Sequence, residues 1–215
     1  MTAITESPHT AGFLLSEAPG NRSRDNGVLA SGQNLKAGAV VGKITRGAAS
    51  TSGAGNTGDG TITMDVTNPV RQGAKVGAYK ATCITAAANG GTFRVEDPDG
   101  YVLGDVAVGA TFDDDIKFVI ADGAADFIVG DKFTITIAEG TGKWTELAPT
   151  AQNGSEFAAG VLFGAIDASA ADAACVVVTR DAEVIADELQ WFSGASAGQK
   201  TTALAQLAAA GVIAR

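Results

Sequence analysis

The sequence has few of the side chains on which catalysis and nucleic-acid binding usually depend. Histidine occurs once, at His9, and 15 Lys and Arg residues stand against 24 Asp and Glu residues, for a formal net charge of -9. So acidic a chain repels phosphate, and we expect no nucleic-acid partner. His9 lies in a polar segment with no acid to orient it, so no nucleophile and base can be paired around it. We therefore expect no enzymatic activity.

Long hydrophobic runs, aromatic residues and cysteines are also scarce. No apolar run approaches the roughly 20 residues that cross a bilayer, and the first ten residues lack the basic start and apolar core of a signal peptide. We expect no membrane partner. Aromatic residues make up 6% of the chain, which favours small-residue β packing over a cavity for a large ligand. Cys83 and Cys175 lie in apolar, strand-like runs and predict two buried free thiols.

Residues 1–26 are predicted to form an extended amino-terminal arm. The segment is polar, contains Pro8 and Pro19, and encloses a single apolar stretch of three residues, Phe13-Leu14-Leu15. So short a stretch cannot offset the entropy lost in ordering the residues around it. We expect an arm that is mobile in the isolated protein; the alternative is an edge strand of the main domain.

The centre of the chain predicts a linker followed by an inserted β module. Residues 47–60 are Gly, Ala, Ser, Thr, Asn and Asp, a composition typical of a flexible linker. Over residues 61–139 apolar and polar side chains alternate, as at Phe133, Ile135 and Ile137, and this pattern predicts strands. Between two of them, Asp97-Pro-Asp-Gly100 has the residues of a type I turn. The segment is interpreted as a small antiparallel β domain.

Residues 27–46 and 140–215 are assigned to one discontinuous base domain. Residues 158–165 and 175–179 are apolar on both faces, which is typical of buried strands. A helix follows Ser196, which has the spacing of a capping box with Gln199, and Gly211 can terminate it. The predicted fold class is mainly β: a β-clip-like domain with a short C-terminal helix, plus the inserted antiparallel β domain.

The densest set of carboxylates comprises Glu96, Asp97 and Asp99 with residues 113–115. Calcium takes about six to eight oxygen ligands, which two converging turns can supply, but Asp is also common in β turns for local hydrogen bonding. The spacing is not that of an EF-hand. We expect no metal and no cofactor, and keep a calcium- or carbohydrate-binding β module as the alternative.

The segments outside the β module resemble the lambda-type head decoration proteins of tailed phages. The matching elements are, in order, Leu35–Thr45, Gly142–Glu146, Ala158–Leu162 (A-A-G-V-L), Asp167–Asp172, Val176–Val178 with Arg180, Trp191, and Gln199–Ile213. They cover roughly half of the chain in two pieces, and the β module departs from the compact members of the family.

This resemblance implies a structural protein of the virion without catalytic residues or cofactor. Such proteins are made in the host cytoplasm and sit as homotrimers on the outer surface of the expanded capsid. There they occupy local threefold positions, bind the major capsid protein and stabilise the head. The alternative then becomes a calcium- or carbohydrate-binding module of a phage tail or surface protein.

Two sets of residues follow from the resemblance. The capsid-binding arm is assigned to Pro8, Phe13, Leu14, Leu15 and Ser16, because an extended arm can add a strand to a sheet edge of the capsid subunit. The trimer interface is assigned to Leu189, Trp191 and Phe192, because aromatic residues are enriched at interfaces; packing within the core is the equal alternative for these residues.

Overall fold

Strands dominate the computed structural model of the protein, which describes residues 6–215. The mainly-β fold class expected from the sequence is confirmed, with one short helix near the C-terminal end of the described residues and several sheets. The chain divides into two compact units. The terminal unit contains residues 6–45 and 141–215, and the central unit contains residues 46–140.

Within the described residues the chain forms 18 strands, one α-helix and two 3-10 helices. The terminal unit begins with β1 (Leu14–Glu17), the 3-10 helix Pro19–Asn21, β2 (Arg24–Leu29), β3 (Gln33–Leu35) and β4 (Val40–Lys43). The central unit contains β5 (Arg46–Ser52), β6 (Thr61–Met64), β7 (Gly77–Ala87), β8 (Gly90–Glu96), β9 (Val102–Ala107), β10 (Thr111–Asp113), β11 (Lys117–Ala121) and β12 (Lys132–Glu139). The terminal unit resumes with β13 (Trp144–Glu146), β14 (Gly160–Leu162), β15 (Ile166–Ala168), β16 (Ala173–Val178), β17 (Ala182–Val184), the 3-10 helix Ala186–Glu188, α1 (Ala197–Ala209) and β18 (Val212–Ala214).

A closed barrel of five strands, in the order β13-β2-β16-β14-β4, joins the two parts of the terminal unit. Val161 of β14 pairs with Val40 of β4 on one side and with Val178 of β16 on the other. All three valines are buried. Because the strands come from both sides of the central unit in sequence, neither part of the chain can close the barrel alone.

The helix α1 is terminated at both ends as the sequence predicts. The Ser196 hydroxyl accepts a hydrogen bond from the Gln199 N–H at 3.3 Å, and the Gln199 side chain accepts one from the Ser196 N–H at 2.9 Å, which completes the capping box. Gly211, with φ of 89°, follows the last turn. The helix packs Ala203 and Leu207 into the core of the terminal unit. Among the described residues, no helix has the length and apolar character needed to cross a membrane.

The central unit consists of a five-stranded sheet, β5-β12-β7-β8-β9, and a three-stranded sheet, β10-β11-β6, which share one core. The alternating residues Phe133, Ile135 and Ile137 of β12 are buried in it, as their spacing predicts. Phe93 and Phe127 meet edge to face there, with ring centroids 5.0 Å apart. The predicted turn between β8 and β9 is confirmed, since the Gly100 N–H donates to the Asp97 carbonyl at 3.0 Å.

The segment 47–60 differs from the flexible linker expected from its composition. Arg46–Ser52 forms the strand β5, in which Ser50 pairs with Thr136 and Ala49 with Ile137 of β12. An edge strand is held by backbone hydrogen bonds to its neighbour and needs little side-chain burial, so small polar residues suffice. The residues that follow are fastened by Asp131, whose carboxylate accepts the N–H of Thr57 and of Gly58.

Both cysteines are free and buried, as the sequence predicts. Cys83 lies in β7 of the central unit and Cys175 in β16 of the terminal unit. Burial raises the pKa of each thiol, which keeps it in the protonated, unreactive form.

The close contact between β2 and β13 gives a test of the barrel. A Cβ atom on Gly27 would lie 2.4 Å from Nε1 of Trp144, so Gly27→Ala is expected to destabilise the terminal unit by about 1–3 kcal/mol. Both tryptophans of the chain, Trp144 and Trp191, belong to this unit, so tryptophan fluorescence during urea titration follows its unfolding separately.

The matched control is Gly198→Ala in the first turn of α1. A Cβ atom there meets no atom within 4 Å, and alanine favours helix over glycine by up to about 1 kcal/mol. The control is expected to unfold at the same or a slightly higher urea concentration. If Gly27→Ala unfolds at the same urea concentration as the wild type, the packing of Gly27 against Trp144 is wrong.

The carboxylate of Asp131 gives a pH test of the central unit. Burial alone raises the pKa of Asp131, but the N–H groups of Gly58, Thr57 and Ile128 outweigh it and hold the pKa below its usual value. An unfolded Asp has a pKa of about 3.9, so the unfolded state takes up the proton first as the pH falls. The stabilisation is therefore present above about pH 4 and is lost as the pH falls through the folded pKa.

Asp131→Asn is expected to lower the stability of the central unit at neutral pH by about 1–3 kcal/mol and to weaken its dependence on pH between about 5 and 3. Hydrogen exchange of peptides from residues 46–140 measures both effects. Asp114→Asn removes the same charge from an exposed position and serves as the control. If Asp131→Asn leaves the pH dependence of the stability of the central unit unchanged, the role assigned to the Asp131 carboxylate is wrong.

Candidate functional site

The first described residues of the chain are held on the terminal unit by a tight turn. The Gly12 N–H donates to the His9 carbonyl at 3.0 Å, and the Ala11 N–H donates to the Phe163 carbonyl at 2.9 Å. Ala11 has φ of 60°, a left-handed conformation that costs a non-glycine residue about 1–2 kcal/mol. Residues 6–9 precede this turn outside any helix or strand, with Pro8 half-buried and the others exposed.

Phe13 is not a free anchor, in contrast to the expectation from the sequence. Its side chain is only 2% exposed and belongs to the core that contains Val184 and Leu207. The Ile185 N–H donates to the Phe13 carbonyl at 2.7 Å, which fixes the backbone as well. The apolar stretch does have a partner, but that partner lies about 170 residues away in sequence, where periodicity cannot find it. The arm expected over residues 1–26 is therefore ordered from the turn onward, and the edge-strand alternative describes residues 14–17.

Leu14, Leu15 and Ser16 lie in β1, at the edge of the sheet β1-β17-β18. Leu14 pairs with Val184 and Ser16 with Glu183, so Leu15 is the extra residue of a β-bulge. The Leu15 side chain at this bulge is 52% exposed. Two adjacent leucines in an edge strand are the sequence signal for this arrangement, because strand side chains alternate between the two faces.

Hydrogen bonds to charged groups fasten β1 on its carboxyl side. The Glu17 carboxylate accepts hydrogen bonds from the Arg24 guanidinium and from the Ser23 hydroxyl. These contacts, that of Arg24 first, hold the pKa of Glu17 below its usual value. Arg24 in turn lies 3.8 Å above the ring centroid of Phe163. The exposed side chains of β1 therefore project from a strand whose carboxyl end is held in place.

The residues assigned to the trimer interface fall into two classes. Leu189 is only 4% exposed and packs in the core of the terminal unit, which leaves little of its side chain for contact with another copy. Trp191 and Phe192 are half-buried, with one part against the same core. The preceding Gln190 is fixed by backbone bonds to Gly38 and Val40, at 2.9 and 3.0 Å. The exposed part of the aromatic pair therefore has a defined position.

Three carboxylates of the acidic set in the central unit, those of Asp97, Asp99 and Asp113, form ion pairs. Lys75 Nζ lies 2.5 Å from the Asp97 carboxylate and 2.6 Å from that of Asp99, and Arg71 binds Asp113. Lys75 is the main cause that lowers the pKa of Asp97. Across residues 6–215 no group of three or more His, Cys, Asp or Glu side chains could hold a metal ion. These carboxylates give the calcium alternative no support.

His9 lies in the exposed segment before the turn. The expectation that no acid lies near His9 is wrong, since its Nε2 is 3.1 Å from a carboxylate oxygen of Glu6; both side chains are largely exposed. Neither cysteine is available to it as a nucleophile, since both are buried. An exposed surface pair of this kind contributes little to stability and is no catalytic arrangement.

Two crystal structures of FlgL from Xanthomonas campestris are similar to parts of the chain. One is 18% identical with a TM-score of 0.32, over 48% of this chain and 33% of FlgL. The other is 17% identical with a TM-score of 0.30, over 58% of this chain and 35% of FlgL. The chain thus spans about a third of the length of these structures, and the likeness carries no argument. Curated protein sequences gave no match.

The family model described as bacteriophage lambda head decoration protein D matches residues 3–212. The match extends through both the terminal and the central unit, and so beyond the two pieces that carry the resemblance in the sequence. A family of this kind has a structural role on the phage capsid. The chain therefore belongs to the family of the bacteriophage lambda head decoration protein D.

Proposed function

We propose that the protein binds as a homotrimer to the outer surface of the expanded capsid, at local threefold positions, and stabilises the head by contacting the major capsid protein. The observation that carries this proposal is the family match over residues 3–212. The resemblance of the two outer segments to lambda-type decoration proteins supports the proposed trimer and its proposed position. An acidic surface agrees with a place outside a shell filled with DNA, which it repels.

The capsid contact is assigned to residues before the turn at Ala11 together with β1. Among the described residues β1 pairs with β17 alone, so its other edge is open to an added strand. Leu15 offers an exposed apolar side chain on that strand, Ser16 follows it, and Pro8 lies in the segment before the turn. Phe13 supports this surface from the core and does not contact the capsid itself.

The trimer contact is assigned to Trp191 and Phe192. An aromatic pair that is half-buried on its own subunit and rigidly placed loses little entropy when a second copy covers the rest. Three capsid-binding segments in one trimer act together, so that a weak single attachment becomes firm binding through avidity.

Removal of residues 2–8 tests the capsid contact. The deletion keeps His9, whose carbonyl accepts the Gly12 N–H, and the buried Phe13, so the fold and the trimer are expected to persist. Binding to expanded shells, measured by co-sedimentation, is expected to weaken by about tenfold or more. Leu15→Asp is expected to have a similar effect, while Ala170→Asp adds the same charge at an exposed turn and is expected to bind normally. Full binding by both the deletion and Leu15→Asp rules out this contact surface.

Trp191→Ala and Phe192→Ala test the trimer contact. Each variant is expected to shift the mass in light scattering from three chains toward one, because a buried aromatic at an interface contributes about 2 kcal/mol or more. Leu189→Ala is the control: it makes a cavity in the core and lowers the melting temperature, but the mass stays that of a trimer. If all three variants keep the trimer mass, the aromatic pair belongs to the core alone.

A further inference from the structure

The strand β5 is an open edge of the five-stranded sheet in the central unit. Among the described residues it pairs with β12 alone. The three consecutive residues Ser50, Thr51 and Ser52 are all exposed, so solvent reaches side chains on both faces of the strand. The outward backbone N–H and C=O groups of such a strand are a template for pairing with another extended segment.

Edge strands usually carry devices that prevent such pairing, above all charged side chains and proline. The other edges of the central unit follow this rule: Asp105 lies in β9, Asp113 lies in β10, and Asp65 directly follows β6. After its first residue, Arg46, the strand β5 has neither a charge nor a proline, and the chain stays uncharged from Gly47 to Gly58. The absence of a charge is therefore particular to this edge.

This difference favours a second copy of the chain as the occupant. Two copies with a net charge of -9 each repel one another over most of their surface. The repulsion is weakest where the uncharged edges face each other. The residues from Gly47 to Ser52 are all small, so two such strands can approach to the spacing of a sheet without side-chain clashes.

We propose that β5 of one copy pairs antiparallel with β5 of another copy, so that two five-stranded sheets become one continuous sheet. Antiparallel pairing of a strand with itself has twofold symmetry, which a threefold trimer does not contain. Given the proposed function, the two copies therefore belong to neighbouring trimers. The contact links decoration proteins to one another over the surface of the shell.

The composition of β5 makes this contact weak for molecules free in solution. Gly, Ala and Ser are poor strand formers, and the exposed face contributes no large apolar side chain. Trimers held side by side on a shell have a high effective concentration, which favours a contact that dilute trimers do not make. Sheet extension is thus coupled to decoration, and neighbouring trimers bind cooperatively.

Cysteine cross-linking tests the strand pairing. In the double variant Ala48→Cys/Ser50→Cys, the thiols of two paired strands come within disulfide distance for a range of registers. The matched control is Thr134→Cys/Thr136→Cys, with the same spacing one strand further in. Both native cysteines are buried. After mild oxidation of decorated shells, the β5 variant is expected to give about ten times more covalent dimer than the control on non-reducing gels. Equal yields overturn the proposal.

A charge on the edge gives a second, reversible test. Ser50→Lys places like charges opposite each other and is expected to make the binding isotherm on shells less steep and to raise half-saturation by about tenfold. Thr136→Lys adds the same charge on β12, at an exposed position, and is expected to behave as the wild type. Identical isotherms for Ser50→Lys and the wild type overturn the proposal.

The cross-linking is repeated with concentrated protein in the absence of shells, so that the two proposals can fail separately. Dimers through β5 without any binding to shells support sheet extension and count against the capsid function. If the variants decorate shells fully but the β5 variant and its control cross-link equally, the capsid function is supported and the β5 contact is excluded.

Discussion

Val161 lies between Val40 and Val178 in a barrel whose strands come from residues on both sides of the central unit in sequence. Backbone pairing and burial of these valines hold together two parts of the chain that are separated by 95 residues, 46–140. The remaining features of the terminal unit are fixed on this barrel. Phe13 packs against the core beside it, and the aromatic pair after Gln190 is placed by backbone bonds to Gly38 and Val40.

The barrel also explains how the chain accommodates a second unit. The strands β4 and β13 are antiparallel neighbours, with Lys43 opposite Trp144, so the central unit occupies the connection of a hairpin. The Ile44 N–H donates to the Lys143 carbonyl and the Gly142 N–H to the Ile44 carbonyl, both at 2.9 Å, so the chain leaves and returns at adjacent points. An insertion there leaves the pairing of β4 and β13 intact, which is why such positions tolerate added domains.

The capsid contact and the contact between trimers are both proposed at edge strands, and the residues of each edge decide what it offers to a partner. In β1 the exposed Leu15 lies at a bulge in an edge strand that hydrogen bonds between Glu17 and Arg24 hold in place, and β5 carries no charge after Arg46. The three other edges of the central unit carry an Asp or precede one. Unpaired backbone groups at a strand edge can pair with another extended segment, and for this reason we propose these two edges as contact surfaces. Recognition through backbone groups also requires few large side chains, in agreement with the low aromatic content.

Local chemistry was sufficient for part of this structure. The capping box of Ser196 and Gln199, the turn from Asp97 to Gly100 and the alternation along β12 depend on residues within a few positions of each other, and the sequence determined all three. The mainly-β class and the family were likewise accessible from patterning and from the order of short motifs. What the tertiary structure decided depends on partners far along the chain. Phe13 is buried because it packs against core residues of β17 and α1. The Gly- and Ser-rich segment after Arg46 forms a strand because it pairs with β12 through backbone hydrogen bonds. The type of each residue and its neighbours in sequence determine its polarity and its local conformational preference. Its burial and its strand pairing depend on which distant residues the fold places against it.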